Sequence, residues 1–190
     1  AVAATLARRG LTPVREVFDV PAGDAGVALS PDGYSQHWNS SKLAFIDNPM
    51  GVTISYTPWL KKLVDDMSLA YVSFYQKLDK NQTVGLGLRY FSMGNITFTD
   101  NDGYPTGSFS PNEFAIDGSY NRKLSDNFAL GILGRFIYSN LTGGTTEGYQ
   151  AGKSVALDVN GYYTNKLTLA DYKGTWAAGF NISNIGAKIG

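Results

Sequence analysis

The sequence predicts an all-β fold: about seven strands of an antiparallel transmembrane β-barrel, behind an irregular N-terminal hatch or plug. Three observations predict it. From Gly51 onward, apolar residues recur at every second position, the spacing that puts them on one face of a strand. The apolar faces so defined carry no charge. The connections between predicted strands alternate short and long, as they do when one barrel rim meets the periplasm and the other the outside.

Composition narrows the alternatives. The chain has 190 residues with 16 Lys+Arg and 16 Asp+Glu, so formal net charge is zero. A nucleic-acid partner is not expected, because neutralising phosphates takes an excess of Lys and Arg. Charged residues make up 17%, below the roughly 25% usual in soluble domains. Glycine (22), tyrosine (12) and phenylalanine (10) are abundant, which suits close backbone approach and aromatic girdles. No cysteine is present, which excludes disulfides, thiolate metal sites and a cysteine nucleophile. No run of about 18 apolar residues marks a transmembrane helix. The segment Ala1 to Arg9 has two arginines and no apolar core, so it does not read as a signal peptide.

Two regions follow: residues 1–50 as the hatch segment and residues 51–190 as the first half of a barrel. In the first, Pro13, Pro21, Pro31 and Pro49 interrupt regular structure. Gly26-Val27-Ala28-Leu29 is mostly apolar, Ser30-Pro31-Asp32-Gly33 is a turn signal, and Trp38 and Leu43 to Ile46 add apolar patches.

The strands come next in order. Val52, Ile54 and Tyr56 alternate with Thr53, Ser55 and Thr57. Met67 to Leu78 is a strand of ambiguous phase. Val84, Leu86, Leu88 and Tyr90 alternate with Gly85, Gly87 and Arg89. Phe114, Ile116, Gly118 and Tyr120 alternate with Ala115, Asp117, Ser119 and Asn121. Phe128, Leu130, Ile132, Gly134, Phe136 and Tyr138 form the next apolar face, then Val155, Leu157, Val159, Gly161 and Tyr163, then Trp176, Ala178, Phe180 and Ile182. A soluble sandwich also alternates, but its solvated face carries Lys, Glu and Thr. Here the second face carries Gly, Ala, Ser and Asn with isolated Arg89, Asp117, Arg135 and Asp158. Lipid contact explains charge exclusion from the other face, since a mid-depth Lys or Arg there costs about 2–4 kcal/mol.

Residues 79–81 and 124–127 form short connections; 58–66, 100–112 and 141–153 form longer ones. The connection 166–173 is of medium length and fits the alternation less well. Seven strands cannot close a barrel that needs an even count, and an open edge in lipid leaves backbone groups unpaired. The natural protein is therefore expected to be about twice as long.

Chemistry-bearing residues are few. His37 is the single histidine; with Ser35, Ser40 and Asp47 near it only in sequence, a hydrogen-bonding role in the hatch is expected rather than catalysis. Asp65-Asp66 point in different directions on a strand and read as solvated loop charge. Asp100-Asn101-Asp102-Gly103 opens like a calcium loop but lacks the downstream Glu, so it reads as a turn. Gly85-Leu86-Gly87 sits inside a strand and is no dinucleotide motif; inner-face glycines there leave lumen space or permit close packing. No catalytic residue, metal ligand or cofactor is expected. The most distinctive connection is Pro58-Trp59-Leu60-Lys61-Lys62-Leu63-Val64. Its exposed apolar residues predict a partner surface or a contact with the membrane boundary.

Several stretches resemble a known family. Gly26-Val27-Ala28-Leu29-Ser30-Pro31-Asp32, His37-Trp38-Asn39 and Lys42-Leu43-Ala44-Phe45 resemble the N-terminal hatch of FadL-like outer-membrane proteins. Ser55-Tyr56-Thr57-Pro58-Trp59-Leu60, Leu63-Val64-Asp65-Asp66-Met67, Leu88-Arg89-Tyr90-Phe91-Ser92-Met93-Gly94, Pro111-Asn112-Glu113-Phe114-Ala115-Ile116-Asp117 and Arg122-Lys123-Leu124-Ser125-Asp126 resemble the PorV (LptO) family of the Bacteroidetes type IX secretion system. The family commonly has Pro-Ala after the hatch Asn, where this chain has Ser40-Ser41. The resemblance spans roughly Gly26 to Gly190. It implies a fourteen-stranded barrel in the bacterial outer membrane, of which this chain would be the first half, with Trp38 and Asn39 in its hatch. It implies a non-enzymatic shuttle that binds C-terminal signal domains of secreted cargo, takes them from the SprA translocon and passes them to the PorU-containing attachment complex. By position, residues 58–64 are the expected partner contact. Two other readings remain at this stage: a FadL-like channel for hydrophobic small molecules, and an outer-membrane lipid-modifying enzyme that would need His37.

Overall fold

The computed structural model describes residues 2–6, 25–58, 66–141, 151–169 and 172–186. All seven predicted strands are present. They are β2 (Met50–Pro58), β3 (Met67–Lys77), β4 (Gln82–Met93), β7 (Asn112–Lys123), β8 (Phe128–Asn140), β9 (Gly152–Leu169) and β10 (Tyr172–Gly186). Three further strands were not foreseen. Val2–Leu6 (β1) pairs antiparallel with β2, and Ile96–Thr99 (β5) pairs with Pro105–Phe109 (β6), of which β6 lies within the predicted connection 100–112 and β5 just before it. The main sheet is antiparallel in the order β1-β2-β3-β4-β7-β8-β9-β10 and curls into a half-barrel. It does not close: β1 and β10 are its outermost strands among the described residues.

The side-chain alternation holds across the sheet. On β8, Leu130, Ile132 and Phe136 are exposed on the convex face, while Ala129 and Leu133 are buried on the concave one. The register carries this face to its neighbours, pairing Ile132 with Val159 and Tyr120, and Leu86 with Phe74. The ambiguous second strand resolves the same way: Tyr71, Ser73 and Tyr75 face inward and Val72 outward. Its phase was illegible because tyrosine occupies its inner face.

At one rim the connections are short, between β3 and β4 and between β7 and β8. The medium connection 166–173 is also short: β9 and β10 pair out to Leu169 and Tyr172, leaving only residues 170–171 between them. Lys166 and Lys173 lie in strands rather than in a loop. At the other rim lie the long connections, including the β5–β6 hairpin.

On β10, the pairing with β9 slips between Ile182 and Ile185, and Asn184 adopts φ 59 within that bulge. Such a bulge re-aims side chains locally. It directs Asn184 at the inner-face Asp158, whose Oδ1 accepts the Asn184 backbone N–H at 2.8 Å.

The N-terminal segment fills the concave side. A 3-10 turn at Ala25–Val27 leads to the one-turn helix α1 (Ser35–Trp38) and a second 3-10 turn at Ser40–Phe45. Among the described residues no helix is long and apolar enough to cross a membrane.

Candidate functional site

The site is the interface between this segment and the barrel wall, and it is polar. An inner strand face presents every second residue, so β7 offers Asp117, Ser119 and Asn121 in a column, and β9 offers Asp158 and Asn160. All are buried, and buried polar groups need partners. The hatch supplies them. Gln36 bridges two rungs of β7: its Nε2 donates to Asp117 Oδ1 at 2.6 Å, and its Oε1 accepts from Ser119 Oγ at 2.6 Å. One turn further, Ser40 Oγ donates to Asn121 Oδ1 at 2.7 Å and lies 3.2 Å from Asn160 Oδ1. The Ser41 backbone N–H donates to Asn160 Oδ1 at 2.9 Å.

Asn39 joins the two halves of the hatch to the wall. Its Nδ2 donates to the carbonyls of Val27 and Gly161, each at 3.0 Å. Its Oδ1 accepts from Ser41 N at 3.2 Å and from Ser41 Oγ at 2.5 Å, capping the second 3-10 turn. Trp38 is held by its backbone, whose carbonyl accepts from Asn181 Nδ2 at 3.1 Å. Buried Lys42 donates to the Gly26 carbonyl at 3.0 Å. Toward the short-turn rim, Phe45 packs edge-on to Tyr162 at 5.5 Å, with Lys123 Nζ 4.6 Å above its ring.

Wall glycines make the room. A Cβ at Gly131 would lie 3.0 Å from Ser40 Oγ and collide with the Asn121 and Asn160 amides; one at Gly85 would lie 2.7 Å from Ser119 Oγ and 2.9 Å from Leu43 Cδ1. The hatch side chains therefore occupy space that a wall Cβ would take, and at Gly179 the hatch backbone does so too, with the Val27 carbonyl 2.5 Å from where a Cβ would sit.

Above the hatch, toward the long-connection rim, sits a charged tier. Arg135 Nη2 pairs with Asp158 Oδ2 at 3.0 Å, and its Nη1 donates to Asn184 Oδ1 at 3.2 Å. Arg89 reaches His37 Nδ1, and its guanidinium lies 5.8 Å from the Tyr71 ring centroid. Burial, then the Arg89 and Arg135 charges, push the His37 imidazole down to about 3, so at neutral pH it accepts rather than donates toward Arg89. Two hollows open here. One of about 320 Å³ is lined by His37, Trp38, Arg89, Arg135, Asp158 and Asn181 among others; one of about 270 Å³ shares Arg89, Arg135 and Asn184 with it.

Of the residues singled out from sequence, Trp38 and Asn39 fall inside this interface. Pro58 ends β2, paired with Ser68; Trp59, Leu60, Lys61, Lys62, Leu63 and Val64 lie outside the described residues. The hydroxyls of Ser35 and Ser40 are engaged with Asp32 and with the wall asparagines, not with His37. The Asp100 carboxylate accepts the backbone N–H groups of Asp102 and Tyr104, which makes the calcium-like stretch a turn. Gln36, Ser40, Ser41, Asp117, Ser119, Asn121 and Asn160 were not singled out as hatch contacts. Their signal was the run of alternate Asp, Ser and Asn on one inner face, too polar for an empty apolar lumen.

A family model described as type IX secretion system protein PorV matches residues 16–190. The chain belongs to the PorV family. The match begins ten residues before the stretch on which the sequence resemblance rested. In this PorV-family chain, Ser40 and Ser41 lie directly on the wall. No curated protein matches the chain.

Proposed function

We propose that this chain forms the hatch and first half of an outer-membrane barrel that works as a shuttle in type IX secretion. It binds the C-terminal signal domains of cargo, associates with the SprA translocon and delivers cargo to the PorU-containing attachment complex. Membership of a type IX secretion family supports the setting. The observation that carries the shuttle reading is the seated hatch. It is seated on the concave wall by hydrogen bonds to both β7 and β9, which favours work done at the rim over passage through the lumen. The convex apolar face supports an outer-membrane location. Along β8, ten residue steps separate the girdle aromatics Phe128 and Tyr138; at about 3.4 Å per residue and about 40° of tilt that spans about 25 Å, the height of a barrel's lipid band.

A FadL-like route for hydrophobic small molecules would need an apolar lumen. The larger of the two hollows above the hatch presents Arg89, Arg135, Asp158 and Asn181 beside Val27 and Trp38, and the smaller one sets Arg89, Glu113 and Arg135 beside Phe114 and Ile137; charges in both disfavour an apolar route.

The partner contact is assigned to the connection after β2, with Trp59, Leu60 and Leu63 as its apolar anchors, because the sequence puts apolar residues together in a segment between two strands, where apolar residues serve binding. The test is co-purification from detergent-solubilised membranes. Trp59→Ala combined with Leu60→Asp is expected to lose SprA and cargo while the barrel still folds. Unchanged recovery of both would contradict the assignment.

A further inference from the structure

The β5–β6 hairpin stands apart from the half-barrel. It forms its own two-stranded sheet, and both of its outer edges lack a paired strand among the described residues. Its base is clamped: the Asn95 backbone N–H donates to Asp66 Oδ2 at 2.7 Å, Met93 N–H to the Pro111 carbonyl at 3.1 Å, and Gly94 turns the chain at φ 82. The ribbon is thus held in a set direction although little covers it. The register places Ile96 opposite Phe109 and Phe98 opposite Gly107 on one face. Ile96 and Phe98 are exposed, and Tyr104 at the tip is 70% exposed.

A lone two-stranded ribbon is marginal in water, and free strand edges recruit further strands. Charge then selects the partner. Residues 94–111 contain Asp100 and Asp102 at the tip and no Lys or Arg. An anionic lipid surface offers such a ribbon repulsion and no counter-charge, whereas a basic protein edge complements it. We propose that the β5–β6 hairpin is a docking ribbon for the exposed edge strand of a basic partner protein. Backbone pairing supplies the affinity, and the Ile96–Phe98–Phe109 face takes alternate partner side chains. The inference deepens the secretion reading and rests on it only for who the partner is.

The experiment places a photo-crosslinking phenylalanine analogue at Phe98 of the full chain in native membranes, with the same probe at Ile132 as a lipid-facing control. Crosslinked peptides are mapped by mass spectrometry. The expected product at Phe98 is a partner β-strand flanked by Lys or Arg, with a yield that falls severalfold on Asp100→Lys plus Asp102→Lys. Products with lipid, with a second copy of this chain or with a helical or acidic segment overturn the proposal, as does no product or a yield indifferent to charge reversal. Should the double variant fail to fold, the peptide mapped from Phe98 alone decides. Recovery of SprA with the barrel but no basic strand at Phe98 sinks the ribbon and spares the secretion reading. A basic strand from a protein that is neither translocon nor cargo does the reverse.

Discussion

Asn39 shows how one amide organises the hatch: its Nδ2 donates to the carbonyls of Val27 and of Gly161 on β9, 12 and 122 residues away, and its Oδ1 accepts from Ser41. The sequence marked Asn39 through its family motif, but the partners were beyond reach, because a side chain's bond to a strand over a hundred residues away leaves no local spacing to read. Gly131 was legible only as a small inner-face residue; that it makes room for Ser40 follows from the folded wall. His37 carries a prediction at this scale. Its ring stays neutral in the folded protein down to about 3, whereas an unfolded histidine takes up a proton near 6.5. Stability from the neutral ring is therefore complete above about pH 6.5 and is lost as pH falls from there toward 3, by up to about 1.4 kcal/mol per pH unit. Hydrogen exchange of residues 35–45, corrected for intrinsic rates, should accelerate between pH 7 and pH 4.5 in the parent and much less in His37→Gln. Equal acceleration in both would show that His37 is not the group responsible.

At the scale of elements, the strands were readable because the convex and concave faces place opposite demands on successive residues. The seven strands and the faces of six of them follow from that alternation alone. The β5–β6 hairpin escaped notice because four- and five-residue strands rich in Thr, Ser and Gly resemble loop sequence. The ends of β9 and β10 escaped because lysines at a rim are compatible with a strand as well as a loop. Face assignment makes a quantitative prediction. Ile132→Lys, on the exposed convex face of β8, should cost about 2–4 kcal/mol in denaturant titrations of the barrel in lipid vesicles. The same change at Gln82, next to the short-turn rim, should cost about 1 kcal/mol or less. Equal costs at the two positions would mean that the convex face meets water.

For the whole molecule, the central claim is a division of solvents. In the proposed reading the convex side meets acyl chains, while the concave side carries the N-terminal segment held by polar side chains. The sequence, read as seven strands, anticipated an open sheet; with β1 the sheet has eight strands and, among the described residues, is still open, β1 and β10 each pairing on one side only. The filling of its hollow was less legible, since residues 25–49 carry no repeat and fold only against the wall. The most direct test uses the absence of cysteine from these 190 residues, which makes an introduced thiol the only one within them. Nitroxide labels are placed one at a time from Phe128 to Ser139 along β8 in native membranes, and collisions with oxygen and with a water-soluble nickel chelate are measured. The account predicts high oxygen and low nickel accessibility at 130, 132, 134 and 136, and protection from both at 129, 131 and 133, where the hatch covers the wall. Nickel accessibility at the even positions equal to that of a rim residue would contradict it.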